Sequence, residues 1–287
     1  GFRGAFGVLS AIVMALLVTK TILSAGAVIE EMKNPAVAGI AATFPMGVML
    51  LSAYVQPFSH WAGYVIWTAG ILLHFILIVY FTKRFVFRFN IEKVFPSYFV
   101  VYIGIAAASI IAPLYGAAAA GRVLFWFGFF AYLVLLPIIA YRVLAVKPLP
   151  GPLLPTITIF AAPPGLCLVG YLNSFPEKNM TVVWLLAFLS IITLFAVLLY
   201  MPVMLKLKFY PSYSAFTFPL VISAIAMKSF DGFLTAEQAA VPALGYLARF
   251  EELLALVFVV YVLVRYIVCM SRSCQGDGPR PLIKSLF

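Results

Sequence analysis

The sequence predicts an all-α polytopic membrane protein, and three observations carry that reading. Hydrophobic residues make up 65% of the 287 and charged residues only 10%, with a mean hydropathy of +1.11. A soluble domain of this length needs far more polar surface to cover itself. Apolar runs of about 20 residues, enough to cross ~30 Å of hydrocarbon, recur along the whole chain. The basic residues gather in alternate connections between those runs. No polar block is long enough for a soluble domain, so residues 1–270 read as one membrane domain and 271–287 as a cytoplasmic tail.

Nine spans are expected, at 4–25, 36–56, 61–82, 96–115, 122–141, 153–172, 181–204, 211–228 and 245–268. The first begins "GFRGAFGVLS", which lacks the basic region and cleavage site of a signal peptide, so it counts as part of the fold. The second opens with "KNPAVAG" and carries Pro45 after "AATF"; the third is smooth and holds His74. The fourth opens with "VFPSYFV" and has Gly104 near its middle and Pro113 near its far end. The fifth carries Pro137. The sixth opens with "LLPTITI" and is interrupted by Pro163, Pro164 and Gly165 after "ITIFAA". The seventh is mostly Leu, Ile, Phe and Val. The eighth, opening with "FYPSYSA", is interrupted by Pro219 after "AFTF"; the ninth begins near Arg249, Glu251 and Glu252 and ends near Arg265.

Orientation follows from charge. Of the 19 Lys and Arg residues, 14 fall in one set of connections and five (Arg3, Arg122, Lys178, Lys228 and Arg249) in the other. The basic set belongs in the cytoplasm, which places the N-terminus outside and the C-terminal tail inside. The net charge of +10 is mainly this topology signal and contact with lipid headgroups; it can also concentrate anions at an inner pore mouth.

The openings of alternate spans repeat. Pro35, Pro96, Pro155 and Pro211 lie 61, 59 and 56 residues apart. Each follows a cytoplasmic loop, where proline suits a first helical turn. The period marks a two-helix hairpin used four times, every first helix running outward. Those first helices also carry the interior breaks at Pro45, Gly104, Pro163, Pro164 and Pro219. A mid-helix proline removes one donor and crowds the carbonyl four residues back. In lipid the freed groups need a side-chain partner or a wet cavity. One such proline serves packing in many membrane helices; breaks at matching depths in four repeated helices favour an axial pore. Thr43, Phe44, Thr158, Thr217 and Ser223 are the candidates to line it.

Titratable groups are scarce there. The inward helices have no Asp, Glu, Lys or Arg in their central turns. His74 reads as a packed, hydrogen-bonded histidine; Glu251 and Glu252 as ion-paired with Arg249 in an outer turn; Arg265 as snorkelling to headgroups. Passive conduction fits this better than coupled transport, which needs a titratable or ion-binding group in the membrane. Cys167, Cys269 and Cys274 form no disulfide framework. Metal spacing, a phosphate-binding glycine loop and an activated nucleophile are missing from the sequence, so neither enzyme activity nor a cofactor is expected, and the Tyr and Lys near the loops suit an interface belt better than nucleic acid.

The segments "NPAVAGIAATFPMG", "FPSYFVVYIG", "LLPTITIFAAPPG" and "YPSYSAFTFPL" resemble the tellurite-resistance/dicarboxylate transporter family, which takes in TehA-like proteins and the plant slow-type anion channels. The resemblance implies ten helices in five parallel hairpins around a pseudo-fivefold pore axis. It implies homotrimers with one pore per protomer in a plasma membrane, and a phenylalanine across each pore as the gate. By match to "FTFP", that residue is Phe218. Two departures stand out. Residues 4–25 match the family's second helix, so its first pore-lining helix is not among the nine, and Val101 stands where a kink proline is expected, with Gly104 in its place. The resemblance implies an anion channel or channel-like transporter. The alternatives are proton-coupled transport of dicarboxylates, sulfite or tellurite-related oxyanions, and a non-conducting scaffold.

Overall fold

A computed structural model describes residues 2–146 and 148–274. Among these there is helix and no strand. Nine helices are long and apolar enough to cross a membrane: Phe6–Leu23, Pro35–Val55, His60–Val86, Ser97–Tyr115, Ala118–Leu144, Gly151–Ser174, Met180–Leu205, Pro211–Ala236 and Pro242–Ser271. Each coincides with an expected span. The differences are at the ends, where helices run on into polar sequence. The third, for example, continues through a π-helical turn at Thr82–Val86. Most of the proposed tail, from residue 275 on, lies outside the described residues.

The chain divides into two compact units. Gly1–Lys147 and Leu166–Val183 form one, and Pro148–Gly165 and Trp184–Phe287 the other. In the first unit the second and third spans make a hairpin, as do the fourth and fifth. Its helices meet through small residues, the usual route to close packing where lipid is as apolar as the side chains. A Cβ on Gly39 would strike Ser97, and one on Gly170 would strike Ser109. Side chains cap backbone carbonyls across the same interfaces. Trp67 Nε1 donates to Ala108 O at 3.2 Å, and Ser174 Oγ to Ser109 O at 2.5 Å.

In the second unit the eighth and ninth spans form the hairpin. The opening 3₁₀ segments of the sixth (Gly151–Ala161) and eighth (Pro211–Phe216) run side by side. Ser212 Oγ donates to Pro152 O across them, and Trp184 of the seventh span meets the ring of Phe230 edge-on at 5.0 Å.

Burial separates the two kinds of span. Within an 18-residue apolar stretch of each, 50%, 72%, 83% and 50% of residues are buried in the second, fourth, sixth and eighth spans, and 28%, 28%, 39% and 11% in the third, fifth, seventh and ninth. The smooth helices turn large apolar side chains such as Phe75, Phe130, Phe188 and Leu256 outward. Two of the smooth helices carry an interior proline, Pro137 in the fifth span and Pro202 in the seventh. Neither interrupts its helix: Ala118–Leu144 and Met180–Leu205 are continuous.

Candidate functional site

The four buried spans are all broken, by three different local chemistries. The second runs as Pro35–Ala41 and then Thr43–Val55, with Pro45 in the first turn of the new segment. The eighth runs as a 3₁₀ segment to Phe216, leaves helical geometry at Thr217 (φ −89°, ψ −80°), and restarts as the α-helix Phe218–Ala236 with Pro219 at its second position. Both breaks are the same tripeptide, Thr-Phe-Pro. In both, the threonine hydroxyl donates to the carbonyl three residues back: Thr43 to Ile40 O at 2.8 Å and Thr217 to Ser214 O at 2.7 Å. The hydroxyl thus satisfies a carbonyl beside the missing proline donor, a need that lipid makes acute.

The sixth span spends 11 residues in 3₁₀ geometry before the α-helix begins at Ala162. Pro163 and Pro164 then fall in a first turn, where no donor is required. Gly165 follows them because the eighth span approaches closely. A Cβ there would lie 3.2 Å from Ile222 O and 3.4 Å from Ser223 Cα, both backbone atoms.

The fourth span has no proline at its break. It passes from α-helix (Ser97–Ile103) to a 3₁₀ turn (Gly104–Ala106) and back. His74 of the third span, fully buried, supplies what the break needs: its Nε2 lies 2.9 Å from Val101 O and donates to it. A Cβ at Gly104 would lie 2.9 Å from His74 Cε1 and 2.5 Å from Met46 Sδ, so only glycine admits both neighbours.

The candidate pore residues differ in exposure. Thr43 is exposed, and Phe44, Thr217 and Phe218 are partly exposed. Phe216 is fully buried, with ring contacts to Tyr213 at 5.0 Å and Phe258 at 5.9 Å. Thr158 is buried, its hydroxyl 4.0 Å from Met204 Sδ. Ser223 is buried too, and its Oγ donates to Glu251 Oε2 at 2.8 Å.

That bond corrects the reading of Glu251 as a member of an outer-turn ion pair. The ninth span starts at Pro242, so Glu251 sits about 13 Å along the helix at ~1.5 Å per residue. It is 1% exposed, and Oε1 has no partner among the described residues. Glu252 instead pairs with Lys228 of the eighth span at 2.6 Å, while Arg249 is exposed. A signal in the sequence could have placed Glu251. Leu244, Ala248, Glu251, Ala255, Phe258 and Val262 recur at alternating intervals of four and three, and together they form the buried stripe of that helix. Arg265 also departs from simple snorkelling. Its guanidinium carbon lies 5.4–5.7 Å from the ring centres of Phe209, Tyr213 and Tyr261, and it donates to Tyr261 Oη at 3.1 Å. Cys167 is buried and Cys269 partly exposed; the side chain of Cys274 lies outside the described residues.

Two comparisons bear on what the broken spans do. The model of the voltage-dependent anion channel family matches residues 4–272. An uncharacterized transporter of Methanocaldococcus jannaschii is 27% identical over 219 residues. That match spans 67% of this chain and 62% of the relative's own length, less than two thirds of it. With a family match over nearly all nine spans, the chain belongs to the voltage-dependent anion channel family, the grouping that the motifs point to under the tellurite-resistance/dicarboxylate transporter name.

Proposed function

We propose that the protein conducts small anions down their electrochemical gradient, through a pore closed by the ring of Phe218. The carrying observation is the break at Thr217. It makes Phe218 the first residue of a new helical segment and leaves its ring partly exposed, while Phe216 two residues earlier is sealed in the core. A phenyl ring in a narrow apolar constriction excludes hydrated ions. Backbone dipoles at the breaks attract anions, and the central turns of the broken spans carry no fixed charge. Selectivity then follows the cost of stripping water from the anion. The working form is a homotrimer with one path per protomer, in a plasma membrane with the C-terminus in the cytoplasm.

The buried carboxyl of Glu251 favours one second reading, proton-coupled movement of dicarboxylates, sulfite or tellurite-related oxyanions, because an ionisable group inside the membrane is a candidate coupling site. Flux of chloride, nitrate and malate into liposomes, measured at two imposed pH gradients, separates the two. Conduction predicts that every anion stops at its own equilibrium. Uphill malate uptake driven by the pH gradient overturns it in favour of coupling.

A further inference from the structure

Glu251 belongs to neither the gate nor the candidate lining described above, yet it binds Ser223, one of the candidate lining residues. We propose that Glu251 is a proton-binding site built into the membrane domain, held by Ser223, whose proton occupancy tunes anion passage without driving it. The effect on passage rests on the conducting reading; the proton site does not.

The site is made by placement. Glu251 occupies a position in the buried stripe of the ninth span, between Ala248 and Ala255. Those small neighbours let the helix come close enough for the carboxyl to reach Ser223 Oγ at 2.8 Å. One oxygen accepts that hydroxyl, and the other is buried with no partner. A carboxylate in such a place is costly unless paired or multiply hydrogen-bonded. Among the described residues no cation pairs with it. Lys228 is held by Glu252 at 2.6 Å, and both are substantially exposed. Arg249 is exposed on the same helix, and Asp231, partly exposed, is two turns beyond Ser223. The segment Gly151–Gly165 and the rest of the seventh span from Trp184 to Leu205 contribute no charged residue. The charge on Glu251 is therefore set by a proton rather than by a counter-ion.

The pair also touches the conducting machinery of its own unit. Ser223 lies five residues after Phe218, about 7.5 Å along the same helix, and its Cα is one of the atoms that Gly165 must clear. A negative charge fixed on this face repels an anion in a low-dielectric path, and a bound proton removes it. Conductance through the open path therefore rises when Glu251 binds its proton and falls when it releases it.

The test uses the full chain in liposomes. Infrared difference spectra between acid and alkaline buffer read the carboxyl C=O stretch directly, with no need for transport. The parent should show one buried carboxyl band that Glu251→Gln loses and Ser223→Ala shifts in frequency or in titration midpoint. In the flux assay the parent's chloride conductance should rise with acidity, and Glu251→Gln should lose that dependence while holding the high, proton-bound level. An infrared band that survives Glu251→Gln overturns the site. So does a titration seen only with sodium or potassium present, which would make it a cation site. Uphill anion movement lost in Glu251→Gln overturns the tuning role in favour of coupling. A parent that conducts no anion sinks the conducting reading, while the infrared titration still decides the proton site. Should Glu251→Gln fail to fold, Ser223→Ala alone decides, since an unchanged band and midpoint in that variant refute the pairing.

Discussion

Replacing Phe218 by alanine separates a gate from a core side chain, because the two roles predict opposite balances of stability and conductance. A fully buried phenylalanine truncated to alanine costs ~3–5 kcal/mol. Phe216 has the surroundings for that full cost: it is inaccessible and touches two aromatic rings within 6 Å. Phe218 is partly exposed and has no ring neighbour among the described residues, so its loss should come to roughly half of that, about 2 kcal/mol. In thermal unfolding of the detergent-solubilised protein, Phe216→Ala should therefore lower the midpoint distinctly more than Phe218→Ala. Anion flux should order them the other way. Phe218→Ala removes the ring from the constriction and raises chloride conductance several-fold or more, whereas Phe216→Ala leaves conductance per folded molecule near the parent's. Phe216 ends the 3₁₀ segment and Phe218 begins the α-helix, with the break at Thr217 between them, so one cannot stand in for the other. If Phe218→Ala folds at normal yield and conducts no more than the parent, the gate assignment is wrong. If Phe216→Ala opens the path instead, the ring in question was misassigned by two residues.

His74→Leu removes the donor to Val101 O and leaves a buried carbonyl unpaired, for a loss of ~1–3 kcal/mol seen as a lower unfolding midpoint; His74→Gln, which keeps a donor within reach, should recover part of it, and equal behaviour of the two would show that the bond is not what holds the break. Gly170→Val drives a side chain into Ser109 and should cost ~1–3 kcal/mol or more by overpacking, with a normal midpoint refuting the close approach. Lys228→Ala breaks an ion pair whose members are 70% and 43% exposed, so it should shift the midpoint by less than ~1 kcal/mol's worth; a larger loss at high salt would mean that the pair does more than the geometry implies.

The nine spans were legible because hydropathy and the alternation of charge report the bilayer itself, and the chain has few polar residues to blur either. Their ends were less so. Helices continue past the apolar run into Thr82–Val86 or out to Ala118, where hydrogen bonding within the helix persists and composition no longer records it. Prolines marked three of the four breaks, since the missing donor is a local fact of the residue. The lengths of the 3₁₀ segments were not marked, because Gly151–Ala161 keeps that geometry through packing against Pro211–Phe216, a neighbour 60 residues away. At the fourth break the sequence held only Gly104. The bond from His74 that completes it joins two spans and has no signature in either. What could have been seen, and was not, is that Thr-Phe-Pro occurs twice, so that Thr43 and Phe44 stand in the same local frame as Thr217 and Phe218.

Glu251 and Glu252 show why neighbouring identical residues can have different fates, and why composition alone misjudged them. Successive residues on a helix point about 100° apart. The stripe formed by Ala248, Ala255 and Phe258 fixes which direction is inward, and Glu251 falls on it while Glu252 falls beside it. Glu252 then reaches the exposed Lys228 on the partner helix of the hairpin. That contact costs little and adds little, and it is made in the same register that sets Glu251 opposite Ser223. The apolar stripe supplies the energy of association, and the surface pair is consistent with a single alignment of the two helices. The buried carboxyl is carried into the membrane by its neighbours and not by any preference of its own. A group placed against its own solvation in this way needs a reason beyond stability, and in a helix pair that also bears Phe218 the nearest reason is control of what passes.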